Sequence, residues 1–210
     1  GYSFRSIKEK HGLSNNVVFS IDIDRKEQVW VATRQGVSVL NSTVSKVVNN
    51  YSSETAFYCV KSETLTNDVW LGSAKGLYKY NSEKDTLMFF ESASELLNNS
   101  NIQCLYFDSN NKLWVGTKNA GVFLMDNNTV INYPTNELAS NYVKTIIEGK
   151  EGDIFAGTVN GLVLISNNEL EKIELSTLTG TYITFTSSTK YRNSIVLGAL
   201  NNLVYFIDLE

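Results

Sequence analysis

The stretch Leu113-Trp-Val-Gly-Thr117, followed by Gly121-Val122, decides the fold, because its core phrase recurs at Trp30-Val-Ala-Thr33 and Trp70-Leu-Gly-Ser73. Two weaker copies, Phe155-Ala-Gly-Thr158 and Val196-Leu-Gly-Ala199, keep the register. The anchor positions 30, 70, 114, 155 and 196 therefore return every 40 to 44 residues, a period that marks a stacked array of one supersecondary unit. Six residues beyond the anchors stand Gly36, Gly76, Gly161 and Asn202, with Gly121 seven beyond because Ala120 adds one loop residue. A strand, two polar residues and then a residue able to take a positive φ predict a tight hairpin, and asparagine is the best substitute for glycine there.

Outward from the hairpin, each unit has further strand candidates. Val37 to Leu40, Leu77 to Tyr80, Val122 to Met125, Leu162 to Ile165 and Leu203 to Ile207 read as third strands. Val17 to Ile23, Phe57 to Val60, Ile102 to Phe107, Tyr142 to Ile147 and Tyr182 to Phe185 precede the anchors as inner strands, separated from them by turn-forming runs such as Asp108-Ser-Asn-Asn-Lys112. Val44 to Val48, Leu87 to Phe90, Val130 to Tyr133 and Leu170 to Leu175 are candidates for a fourth, outer strand. Four short antiparallel strands per period predict an all-β fold, a β-propeller of four-stranded blades with five repeat units, approximately 14–50, 54–93, 100–135, 141–177 and 180–208. Ala32, Gly72, Gly116 and Gly157, two residues after the anchors, leave room for a ring or for the neighbouring blade.

Composition agrees and narrows the function. The 210 residues suit one large all-β domain spanning 1–210 or the N-terminal part of one, and 42% apolar content with 19% charged residues is enough for a core. Eighteen basic against 22 acidic residues give a net charge of −4, which disfavours nucleic acid as a partner. No apolar run approaches a membrane span, so no direct membrane insertion by this segment is expected. Cys59 and Cys104 have neither redox spacing nor the company of further cysteines and read as buried small residues.

The phrase resembles the repeat of the two-component regulator propeller family. Gly12-Leu-Ser-Asn-Asn-Val17, Ile21, Asp24, Val29-Trp-Val-Ala-Thr33 and Gly36-Val37 follow that repeat almost position by position, as do Asn101-Ile102 through Asp108, Leu113 to Thr117 and Gly121-Val122. The likeness is weaker in the fourth and fifth units, where the tryptophan is lost. It implies a periplasmic location and membership of the sensor region of a hybrid two-component histidine kinase. It also implies signal input from a polysaccharide-derived oligosaccharide, transmission through a homodimer and the remainder of the same sensor protein, and no cofactor. Such modules generally have seven blades, which needs roughly 290 residues. Two readings fit: a fragment of a longer propeller, or a five-bladed ring in which the strand Tyr2 to Ile7 completes the fifth blade.

Catalysis has little to work with. His11 is the only histidine, so neither a triad nor a multi-histidine metal site is spelled, and its place beside Gly12 suggests a turn. Asp22, Asp24, Asp108 and Asp153 sit near hairpin turns, where a carboxylate accepts local backbone N–H groups, and no stretch has the pattern of a calcium loop. Trp30, Trp70, Trp114 and Phe155 read as packing anchors before ligand platforms, and the sequons Asn98-Asn-Ser100 and Asn127-Asn-Thr129 as loop composition. Function is expected at the variable hairpin tips: Arg34, Gln35, Lys75, Lys118, Asn119, Asn160 and Asn201, on the same face as the entering loops His11 to Asn16 and Asn98 to Asn101. That polar face suits a glycan or a protein loop. The rivals are a protein-interaction scaffold, although WD-repeat signatures are missing, and a streptogramin-lyase-like enzyme, which wants a histidine on that face.

Overall fold

The computed structural model describes residues 4–92, 94–126, 129–136, 139–173 and 183–209. They form five antiparallel sheets in chain order. The first holds β1 (Val18–Ile23), β2 (Val29–Thr33), β3 (Gly36–Leu40) and β4 (Val47–Ser52). The second holds β5 (Phe57–Ser62), β6 (Val69–Ser73), β7 (Gly76–Asn81) and β8 (Thr86–Phe89). After a one-turn helix, α1 (Glu95–Asn98), the third comprises β9 (Ile102–Phe107), β10 (Leu113–Thr117), β11 (Val122–Asp126) and β12 (Thr129–Tyr133). The fourth comprises β13 (Val143–Glu148), β14 (Ile154–Thr158), β15 (Gly161–Ser166) and β16 (Glu169–Ile173), and the fifth β17 (Phe185–Tyr191), β18 (Ser194–Ala199) and β19 (Val204–Asp208). Every sheet is a simple meander, as short hairpins require.

The chain divides into two compact units, Gly1–Phe90 and Glu91–Glu210. In the first, Trp30, Ala32, Val37 and Val39 of the first sheet pack on Phe57, Val60, Val69 and Leu71 of the second. Burial of each large aliphatic chain stabilises by about 1.5–3 kcal/mol. In the second unit Trp114, Val122 and Leu124 pack on Val143, Ile146 and Ala156, while Phe155 and Leu162 pack on Phe185, Ile195 and Leu197. Both faces of the middle strands are thus buried, so β2, β6, β10 and β14 are apolar without alternation. A methyl group at Gly157 would stand 2.8 Å from Cβ of Phe185 in the next sheet, which is why the position two after the anchor stays small.

Several strand expectations shift. Val44 lies at φ 51 in a turn, not in a strand, because the Asn41 side-chain oxygen accepts from the N–H groups of Ser45 and Lys46 and holds the loop 41–46; β4 begins at Val47. The fifth inner strand starts where Tyr182 to Phe185 was expected to end, and continues through the mostly exposed Thr186 to Tyr191, whose polarity hid it. Tyr182, Glu174, Leu175 and Tyr2 lie outside the described residues. Phe4 to Ile7 form no strand: Arg5 donates to the carbonyl of Val44 at 2.6 Å and Ile7 packs with Leu13, Val31 and Leu40. The N-terminal segment is therefore tied to the first sheet, and the fifth sheet has three strands among the described residues.

Candidate functional site

The middle hairpins of the first four sheets are built the same way. Thr33, Ser73, Thr117 and Thr158 end their strands fully buried, and each hydroxyl donates at 2.9 Å to the carbonyl of Gly36, Gly76, Gly121 or Gly161. The same oxygens accept the N–H of Gln35, Lys75, Ala120 and Asn160. The closing residues Gly36, Gly76, Gly121, Gly161 and Asn202 all have positive φ. These hydroxyls stand in the repeat phrase itself, but their role as turn locks was not assigned from sequence.

The locked tips meet the entering loops of their own sheets. Arg34 N–H donates to Val17 O at 3.0 Å, and Asn15 donates its amide to Gln35 at 2.8 Å. Ala74 N–H binds Ala56 O, placing exposed Lys75 beside the loop that enters β5. In the second unit Lys118 N–H donates to Asn101 O at 2.8 Å, and Asn119 accepts from Asn101 N–H at 3.3 Å. Two predicted residues are less free than expected: Asn160 donates to Ala139 O, and Asn201 donates to the Tyr205 hydroxyl in its own hairpin.

A second feature was missed in the sequence. All five inner strands carry a bulge near their start, and the unpaired residues are Phe19, Tyr58, Gln103, Lys144 and Thr186. A bulge interrupts the ladder and re-aims a side chain, a device common beside functional sites. Within a repeat that preserves its packing positions, this one holds two aromatics, an amide, a cation and a hydroxyl, and that divergence was the available signal. Phe19 and Tyr58 meet edge to face at 5.1 Å. In the second unit Lys144 Nζ donates to the Tyr142 hydroxyl at 3.1 Å and lies 4.7 Å from that ring's centroid, while Lys118 Nζ lies 5.6 Å from it. Tyr142 in turn donates to Gln103 at 3.3 Å, and Gln103 donates to Asn101.

The other candidates are structural. Trp30, Trp70 and Trp114 are buried among core side chains. Asp24 and Asp108 accept two backbone N–H groups of their turns with one oxygen and the indole N–H of Trp30 or Trp114 with the other, both indole bonds at 2.9 Å. Asp22 accepts Ser62 N–H at 2.6 Å and faces Lys61. His11 Nδ1 accepts the N–H of Lys8 in a 3₁₀ turn. Asn98 is held by three bonds to Ser92, and Ser100 is fully buried, which ties down the first sequon; Asn127 and Asn128 lie outside the described residues. Burial pushes the Cys104 thiol up to about 12, so it stays protonated. Among the described residues no group of three or more His, Cys, Asp or Glu side chains is placed to hold a metal, and no helix is long and apolar enough to cross a membrane. A cleft of about 410 Å³ in the first unit is lined by Asp68, Lys79, Tyr80, Glu83 and Phe90, but Asp68 pairs with Lys79 at 2.5 Å and neutralises it.

Residues 96–119, from α1 through β10 to the Lys118-Asn119 tip, match the family model described as two component regulator propeller. That segment is similar to one two-component regulator propeller repeat. Solved structures extend the likeness as fold alone. The extracellular domain of the hybrid two component system BT3049 from B. thetaiotaomicron superposes with a TM-score of 0.72 at 19% identity, over 98% of this chain and 35% of that one. The extracellular domain of BT4673 from the same organism gives 0.74 at 18% identity, over 90% of this chain and 27% of that one. The chain thus spans about a third or less of either relative. Virginiamycin B lyase from Staphylococcus aureus gives 0.68 at 14% identity, over 93% of this chain and 72% of that one. The fold of the regulator repeats is accordingly the β-propeller. No curated protein sequence matches the chain.

Proposed function

We propose that this chain is a ligand-sensing β-propeller of an extracytoplasmic sensor region, working in a hybrid two-component histidine kinase and responding to a polysaccharide-derived oligosaccharide. One observation carries the reading: the segment matching the regulator propeller model contains the entering loop, the bulge and the hairpin tip where Asn101, Gln103, Lys118 and Asn119 come together. The recurring turn locks and carboxylate–indole pairs supply a rigid frame, and the residues that differ between repeats supply the contacts, an arrangement suited to recognition grafted on a scaffold. The signal would pass to the remainder of the sensor protein through rearrangement of a homodimer. His11 is engaged in its own turn, which favours recognition over a lyase-like reaction.

A glycan microarray bearing oligosaccharides from plant, host and microbial polysaccharides tests this reading. Saturable retention on a chemically related set supports it. A folded chain retained on no glycan contradicts it and favours a scaffold for another protein.

A further inference from the structure

The second unit places a cation, Lys144, at the bulge position where the first places aromatic rings. At the bulge position the first unit has Phe19 and Tyr58 in edge-to-face contact, whereas the third and fourth sheets have Gln103 and Lys144. Lys144 and Lys118 approach the ring of Tyr142 from different elements, β13 and the β10–β11 tip, at 4.7 and 5.6 Å. Among the described residues neither ammonium group has a carboxylate partner, in contrast to Lys61, Lys79, Lys112 and Lys190, which face Asp22, Asp68, Asp126 and Glu148. Gathering two like charges around one ring costs free energy, which the ring's negative face offsets only in part.

We propose that Lys118, Lys144 and Tyr142 form a subsite for an oxyanion carried on a sugar, a carboxylate or a sulfate ester, seated over the junction of the third and fourth sheets. This rests on the reading of the chain as an oligosaccharide sensor and names the chemical class of its ligand. The subsite is held in place before any ligand arrives. Tyr142 accepts from Lys144 and donates to Gln103, Gln103 is anchored to Asn101, and the backbone bond from Lys118 to Asn101 fixes the tip from which Lys118 extends. The bulge frees Lys144 from the alternation of β13, while its neighbours Val143 and Thr145 remain buried. Both cations are lysines, point charges without the planar fork of arginine, so planar carboxylate and tetrahedral sulfate are both accommodated.

Isothermal titration of the whole chain with trigalacturonate, a sulfated galactotriose and neutral galactotriose tests this. The two charged arms distinguish carboxylate from sulfate. The expected result is saturable binding of at least one charged sugar, weakened at least tenfold in Lys144→Met and several-fold in Lys118→Met. Lys144→Arg should retain it, and raising the salt concentration should loosen it. The unliganded melting temperatures of these variants should stay close to that of the parent, since neither ammonium group supports the core. Binding of a charged sugar that both Met variants leave unchanged overturns the subsite. Binding of neutral galactotriose alone also overturns it, while leaving the sensor reading intact. Binding of none of the three overturns the subsite, and the glycan microarray then decides the sensor reading on its own.

Discussion

Trp30 and Trp70 occupy the same place in consecutive repeats of one compact unit, yet they are held differently. Trp30 donates its indole N–H to Asp24 at 2.9 Å, stacks on Tyr51 at an interplanar angle of 3° and meets Tyr80 at 4.8 Å. The Trp70 indole nitrogen is buried without an acceptor among the described residues, with Phe90 and the Lys79 ammonium against its ring. The cause is local. The turn closed by Asp24 N–H to Gln28 O becomes one residue longer when closed by Glu63 N–H to Asp68 O, and the Glu63 carboxylate accepts from the Thr66 hydroxyl at 2.8 Å. A tryptophan in this phrase is therefore a packing anchor in every copy, but it serves as a polar lock only where an aspartate stands six residues earlier in a tight turn. Asp108 and Trp114 repeat the first solution. A third solution removes both polar groups: Gly149 and Phe155 replace them, and a methyl group at Gly149 would lie 2.6 Å from the Phe155 ring.

That comparison can be broken by substitution. Asp24→Ala strands the Trp30 N–H and two turn N–H groups, and urea unfolding followed by circular dichroism should show a loss of about 2–4 kcal/mol. A loss under about 1 kcal/mol would mean that the turn holds without its carboxylate. Gly149→Ala should cost about 1–3 kcal/mol through overpacking against Phe155, and a neutral result would show that the ring can swing away. Trp30→Phe keeps most of the apolar contact but leaves an Asp24 oxygen unpartnered, for an expected cost of about 1–2 kcal/mol. Trp70→Phe removes a buried N–H that has no acceptor and should stay within about 0.5 kcal/mol of the parent. Equal costs for the two tryptophans would end the distinction.

The smallest effect concerns Asp85, at φ 49 in the β7–β8 hairpin, which gathers Tyr51 at 2.6 Å, Tyr80 at 2.9 Å and the Asn49 amide around the rings that flank Trp30. Hydrogen bonds from Tyr51 and then Tyr80 hold its carboxyl below the usual carboxylate range, while burial first, and then Asp85, push the Tyr51 phenol far up. A lowered folded pKa contributes stability above the unfolded value of about 3.9 and loses it as pH falls through the folded value. The gap in melting temperature between the parent and Asp85→Asn should therefore narrow as the pH drops below about 4. A gap that stays constant with pH would show that the carboxylate charge is irrelevant to this clamp.

Much of this was legible in the sequence because packing positions recur. The anchor phrase, the positive-φ residue and the small residue after the anchor each answer a constraint imposed by the neighbouring sheet, so repetition exposes them. The outer strands were blurred at Val44, where an asparagine side chain outcompetes strand pairing, and the polar run after Phe185 gave no apolar cue. The candidate site was half visible. Hairpin residues such as Lys118 and Asn119 could be located by their offset from the anchor, but Tyr142 and Lys144 join them only across two sheets and through a bulge, which no spacing within one repeat reveals. Asn160 and Asn201 stand at the same offset from their anchors as Lys75, yet their amide N–H groups are engaged by the Ala139 carbonyl and the Tyr205 hydroxyl.

The central claim is that the repeated frame and the recognising residues are separable. Its most direct test is thermal unfolding of three proteins, the parent, Asp24→Ala and the Lys118→Met/Lys144→Met double variant, each with and without trigalacturonate and sulfated galactotriose. A ligand that binds only the folded state must raise the apparent melting temperature. The parent and the destabilised Asp24→Ala protein should both be raised by a saturating charged sugar, while the double variant should melt like the unliganded parent and not be raised. A rise in the double variant equal to that in the parent, or no rise in any of the three, would contradict it.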